Sequence, residues 1–150
     1  WAVVMLQKEV ALRLMAGPGT KTYGVPSVLF ASCASIEPMM KVKPAEFYPQ
    51  PKVDSMIIRI TFHPRSERLA KVPDFDWLLL KKIVHTCFSQ RRKTLLNGLA
   101  SGGFVADKKR LATIIESAGI SSSIRAEQLS FEQFVELSRC LKKNIRGTAE

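Results

Sequence analysis

The spacing of apolar positions changes along the chain, and each change predicts an element. Residues 2–6 are an unbroken apolar run containing the β-branched pair Val3-Val4, the pattern of a buried strand. From 8 to 15, Val10, Ala11, Leu14 and Met15 recur on one side at helical spacing, and Gly17-Pro18-Gly19 stops that helix. A strand feeding a helix is half of a βα unit. Residues 2–6 are therefore expected to run parallel to neighbours supplied from before Trp1. Residues 27–35 are apolar with small side chains and predict a second helix, while 37–43 alternate weakly, as a strand would. Three prolines in the eight residues from Pro44 to Pro51 forbid a β ladder and predict a stiff, extended loop. The alternation is clearest at 55–62, with Met56, Ile58, Ile60 and Phe62 on one face and Ile57, Arg59 and Thr61 on the other.

Past a polar, charged stretch at 64–73 the period is helical to the end. Asp74 is placed as the N-cap of a helix over 75–88, and 94–99 continues as helix to a stop at Gly102-Gly103. Asp107 caps 108–117, which ends at Gly119, and Ser130 forms a capping box with Gln133 ahead of a helix over 131–143. The fold class is thus α/β plus all-α. Residues 1–66 form the α/β piece, 67–72 a linker, and 73–150 a helical domain.

Composition narrows the partners. The 150 residues carry 23 Lys+Arg against 13 Asp+Glu, a formal net charge of +10, with 46% hydrophobic and 24% charged residues. That supports a core and argues against wholesale disorder. The excess is net +5 in residues 1–72 and net +5 in 73–150, so a polyanion is expected to touch both parts. No apolar run approaches the roughly 20 residues of a membrane span, and no membrane partner is expected. Cys33, Cys87 and Cys140 lie more than fifty residues apart, which is no disulfide framework and points to a reducing, cytoplasmic compartment. No CxxC pair occurs and His63 and His85 are isolated, so no metal site is expected. The chain opens on Trp1 rather than Met, without a basic leader, and is expected to begin inside a longer protein.

Candidate chemistry is cationic and aromatic. Gln90-Arg91-Arg92-Lys93 is the densest basic cluster; at a helix junction it suits contacts to neighbouring phosphates, or a solvated helix face. Lys108-Lys109-Arg110 reads more readily as a solvated face. Arg125 suits either a phosphate or an ion pair, with Glu127 or with another helix. Phe47 and Tyr48, held among prolines, suit stacking on a base or plugging the edge of the core. Neither a phosphate-cradling glycine loop nor a carboxylate pair for acid–base work is found, so residue chemistry alone supplies no catalytic machine.

Taken together, four blocks resemble the ribosomal RNA adenine dimethyltransferases, also called dimethyladenosine transferases. They are the run from Met5 to Leu14 followed by Pro18-Gly19-Thr20-Lys21 and Tyr23-Gly24; Phe47-Tyr48-Pro49-Gln50-Pro51-Lys52-Val53-Asp54-Ser55; Phe88-Ser89-Gln90-Arg91-Arg92-Lys93-Thr94-Leu95; and Arg125-Ala126-Glu127-Gln128-Leu129-Ser130. They occur in the family's order over nearly the whole chain. The resemblance implies a Rossmann-like methyltransferase domain followed by a small helical domain. It implies transfer of methyl groups from S-adenosylmethionine to two adjacent adenosines in the 3′-terminal hairpin of small-subunit (16S) rRNA. The family's cofactor turn and Asn-Leu-Pro-Tyr-type catalytic loop are absent, so only its C-terminal half is matched.

On that resemblance Phe47 corresponds to the aromatic bordering the target-adenine pocket. Arg91, Arg92, Lys93 and Arg125 correspond to rRNA-binding positions, and no residue here corresponds to a cofactor ligand. Val25-Pro26 stand where bacterial members have Arg and then Leu, and Gln50 replaces a proline, which loosens the loop. The segment alone is expected to be inactive and to bind rRNA or the immature small subunit. Two alternatives accompany it: a non-catalytic RNA-binding or ribosome-assembly module, and a large-subunit methyltransferase of the erythromycin-resistance type. An exposed apolar strand in a truncated sheet is expected to favour homodimerisation.

Overall fold

The computed structural model describes residues 1–64 and 72–146. The chain divides into two compact units, Trp1–Arg68 and Leu69–Glu150. The linker expected at 67–72 lies, apart from Val72, outside the described residues.

The first unit is a small α/β layer pair. Strand β1 (Ala2–Gln7) runs straight into helix α1 (Lys8–Met15); α2 (Val25–Ala31), β2 (Ala34–Val42) and β3 (Ser55–Phe62) follow. The sheet order is β1-β3-β2. Both pairings are antiparallel, with Val4 opposite Ile58 and Ile36 opposite Ile60. The parallel neighbours expected for β1 are therefore not among the described residues. The strand it pairs with is β3, which runs antiparallel to both β1 and β2 and lies between them.

Alternation on β3 behaves as the pattern demands. Met56, Ile58 and Ile60 are buried and join Ala11 of α1 and Ala34 of β2 in one core, flanked by Val4, Leu6, Leu14, Met15, Phe30 and Ile36. Phe62, expected on that face, is 53% exposed, since β3 ends there opposite the first residue of β2. No described residue of this unit covers the other face of the sheet. Val3, Met5, Met39 and Met40 are exposed on it, and Trp1, Val3, Met39, Arg59 and Thr61 line a shallow hollow.

The helix expected at 27–35 instead spans Val25–Ala31. Its start is held by buried Ser27, whose hydroxyl donates to the Arg13 carbonyl at 2.6 Å and accepts the Gly24 N–H at 3.1 Å. Its end is set by Ala34, which is drawn into the sheet opposite Phe62. In the proline loop, Pro44–Glu46 forms one 3-10 turn. The Lys8 ammonium meets the Asp54 carboxylate at 3.0 Å and the Lys8 N–H donates to the Asp54 carbonyl at 2.9 Å. Two blocks of the family resemblance are thereby tied together.

The second unit holds α3 (Trp77–Ser89), α4 (Leu95–Ala100), α5 (Lys108–Ser117) and α6 (Phe131–Arg146). Asp76, not Asp74, caps α3: its carboxylate accepts the Leu79 N–H at 3.1 Å. The helix starts later than expected because Phe75 turns aside to meet Phe131 edge-on, with ring centroids 5.9 Å apart. The Leu79 N–H, and then Lys142 at 3.0 Å, hold the Asp76 carboxyl below its usual 3.8. The other two caps stand as expected. Asp107 accepts the Lys109 and Arg110 N–H groups, and Ser130 and Gln133 exchange hydrogen bonds of 2.9 and 3.3 Å. Cys87 behaves as a small hydrophobe, its thiol pushed by burial up to about 12.

Candidate nucleic-acid interface

The densest basic cluster lies in a turn, not in a helix. The backbone of Gln90 (φ −127°, ψ 56°) ends α3, the Lys93 N–H closes on the Gln90 carbonyl at 2.9 Å, and Thr94 caps a separate α4. The helix expected over 94–99 spans Leu95–Ala100, and Thr94 supplies its start by accepting the Asn97 N–H at 3.4 Å. A turn fans out side chains that a helix would spread around a cylinder. Phe88, Ser89 and Gln90 to Lys93 line a shallow open hollow on this surface.

Packing fixes where the turn sits. Leu80, Ile83, Val84, Cys87 and Phe88 bury one side of α3. The Phe88 ring lies 6.1 Å from that of fully buried Phe134 on α6. Above Phe88, 5.9 Å from its ring, stands the Arg91 guanidinium, which also donates to Glu127 at 3.3 Å. The Leu95 N–H donates to the Ile124 carbonyl at 2.7 Å and the Leu96 N–H to the Ser122 carbonyl at 3.3 Å. These bonds bring the segment leading to Arg125 against the cationic turn. Arg125 itself opens a 3-10 turn, its N–H donating to the Gln128 side chain at 3.1 Å.

The four basic residues singled out by residue type therefore converge but are not equivalent. Glu127, weighed above as a partner for Arg125, pairs with Arg91 instead. Arg92, Lys93 and Arg125 are exposed and have no carboxylate partner among the described residues. Arg110 turns inward to the chain and donates to the Asn144 carbonyl at 3.3 Å, a structural use. Lys81, Lys82 and His85, which were not among the residues singled out from the sequence, are also exposed on α3. The signal for them is the four-residue spacing of 81, 85 and 89.

Phe47 belongs to the first unit, at the end of the 3-10 turn, where its N–H donates to the Pro44 carbonyl at 3.2 Å. It is half-buried, whereas Tyr48 is fully exposed. Nothing in the residue types distinguished the two.

A family model described as "Ribosomal RNA adenine dimethylase" matches residues 1–143. The ribosomal RNA small subunit methyltransferase A of Desulfotalea psychrophila is 44% identical over 157 residues, covering 99% of this chain and 52% of its own length. Its counterpart in Alkaliphilus metalliredigens is 41% identical over 137 residues, covering 91% and 46%. The chain thus spans about half the length of the curated relatives it matches. Among solved structures, a dimethyladenosine transferase from Plasmodium falciparum aligns with a TM-score of 0.76 at 23% identity, over 97% of this chain and 57% of that one. The 23S rRNA methyltransferase ErmE aligns with a TM-score of 0.59 at 20% identity, over 94% and 54%. At these identities the two structures show the fold alone. No helix among the described residues is long and apolar enough to cross a membrane.

Proposed function

The chain belongs to the ribosomal RNA adenine dimethylase family, and from that membership we propose that it is the C-terminal part of an S-adenosylmethionine-dependent small-subunit rRNA adenine dimethyltransferase of the cytoplasm. Residues 1–66 are read as the end of its Rossmann-like domain and 73–150 as its helical rRNA-binding domain. The observation that carries the reading is the family-model match over residues 1–143, beside a relative of which this chain spans 52%. The exposed Arg92, Lys93 and Arg125 support the RNA-binding role.

The described residues do not fit the cofactor. β1 passes into α1 at Gln7–Lys8 with no glycine between, and Gly17 and Gly19 follow a helix rather than a strand. Residues of the intact protein outside this chain are assigned that site. This chain's share is binding and placement. Methylating a base requires it out of its stack, and Phe47 is assigned to hold the adenine ring by stacking, worth about 1–3 kcal/mol per base. The helical unit adds affinity and register through phosphates, without reading sequence.

With labelled S-adenosylmethionine and immature small subunits, the intact protein is expected to incorporate methyl groups and the 150-residue chain none. Incorporation by the chain alone refutes its inactivity. Transfer by the intact protein to large subunits only would favour the erythromycin-resistance reading.

The uncovered sheet face and the outer edge of β1 bear on the isolated chain. An edge strand offers a row of backbone donors and acceptors to any matching strand, and here it adjoins exposed Trp1, Val3 and Met5. In the isolated chain a second copy is assigned to that edge. Sedimentation equilibrium is expected to show concentration-dependent dimers, and a monomer throughout rejects the pairing.

A further inference from the structure

The cationic turn does not stand alone on its side of the helical unit. Residues 77–106 contain five Lys or Arg and no Asp or Glu. Along α3, Lys81, His85 and Ser89 follow one another at one-turn intervals on the solvent side, with Lys82 beside them, and all four are exposed. The row leads directly into Arg92 and Lys93. From Lys81 to Ser89 it spans about 12 Å of helix. Lys82 lies 5.1 Å from the centroid of the Phe104 ring, which restrains its ammonium group.

Carboxylates near the ends of this stretch are already engaged. Asp76 is held by Leu79 and Lys142, Asp107 by the first turn of α5, and Glu127 by Arg91. Lys81 and Lys82 have no carboxylate partner among the described residues. Two uncompensated lysines, followed along the same face by exposed His85 and Ser89 and then by Arg92 and Lys93, fit a partner whose negative charges are themselves regularly spaced. The only exposed large apolar side chains on α3 are Trp77 and Leu78 at its start, too few for an apolar face to lie in a bilayer.

We propose that the solvent face of α3, through Lys81, Lys82 and His85, is a second line of phosphate contacts that continues the Gln90–Lys93 turn, so that the helical unit follows an RNA backbone along the helix. This rests on the RNA-binding reading above and extends it to residues outside the four family blocks.

The test compares Lys81→Gln/Lys82→Gln with Arg92→Gln/Lys93→Gln and with Lys108→Gln/Lys109→Gln, all in the full chain. The third pair removes the same charge from the exposed start of α5. Binding to a short labelled RNA hairpin is followed across salt concentrations. The α3 pair is expected to lose about tenfold in affinity at ~0.1 M salt and to lower the salt slope by about 1–2, with the thermal midpoint unchanged. The α5 pair is expected to leave the slope near that of the parent chain. Equal losses for the α3 and α5 pairs would mean bulk charge and overturn the proposal. So would an unchanged slope for the α3 pair while the Arg92/Lys93 pair loses affinity. So would an α3 pair that loses binding to phosphatidylserine vesicles but not to RNA. No RNA binding by the parent chain would instead fell the reading beneath it.

Discussion

Replacing Arg91, Arg92 and Lys93 together with alanine is expected to weaken binding to small-subunit RNA by about a hundredfold at ~0.1 M salt and to lower the salt slope by roughly 2–3. The slope is the telling quantity, because each phosphate contact releases counterions when it forms, and a lost contact removes its share. The three positions contribute differently. Arg92 and Lys93 are exposed and unpaired by carboxylates among the described residues, so each acts as a free charge. Arg91 is shared with Glu127 at 3.3 Å and rests over Phe88. Its loss uncovers the Glu127 carboxylate beside the same surface, which repels phosphate. The pair itself, with Arg91 42% exposed, is worth at most about 1 kcal/mol to the fold, so the triple variant is expected to stay folded. Filter binding or fluorescence anisotropy over a salt series reads the outcome, and an unchanged slope removes the phosphate role from this turn.

What the amino-acid pattern made legible is local. The alternation at 55–62 needs no distant partner, and β3 occupies those residues. The Asp107 cap and the Ser130–Gln133 box each depend on neighbours two or three residues away. Where a distant contact decides, the pattern misled. Asp74 and Asp76 are equally good caps by type, and Phe131, more than fifty residues along, selects between them by drawing Phe75 aside. Glu127 is within two residues of Arg125 in the sequence, yet packing pairs it with Arg91. The basic cluster was visible as adjacent letters, whereas Lys81 and His85 share a face only once α3 exists.

Phe134→Ala is expected to have the largest effect on stability. Phe134 is fully buried on α6 and its ring lies 6.1 Å from that of Phe88. Truncating such a ring costs about 3–5 kcal/mol, against a total of about 5–15 kcal/mol for a typical domain. In a unit of this size the thermal midpoint is expected to fall by at least ~12 °C, whereas exposed Arg92→Ala is expected to change stability by no more than about 0.5 kcal/mol. Circular dichroism melting measures both. A shift of only a few degrees for Phe134→Ala would show that α3 is held in place without this ring pair. Phe134→Ala and the triple alanine variant together separate scaffold from grip. Below its own midpoint, Phe134→Ala keeps every cation and is expected to retain the parent salt slope, binding in proportion to the folded fraction. The Arg91, Arg92 and Lys93 variant is expected to retain the parent midpoint and lose the slope. A Phe134→Ala chain that is folded yet has a flattened slope would mean that the ring beneath Arg91 sets the direction of the cations as well as the stability of the helix that carries them.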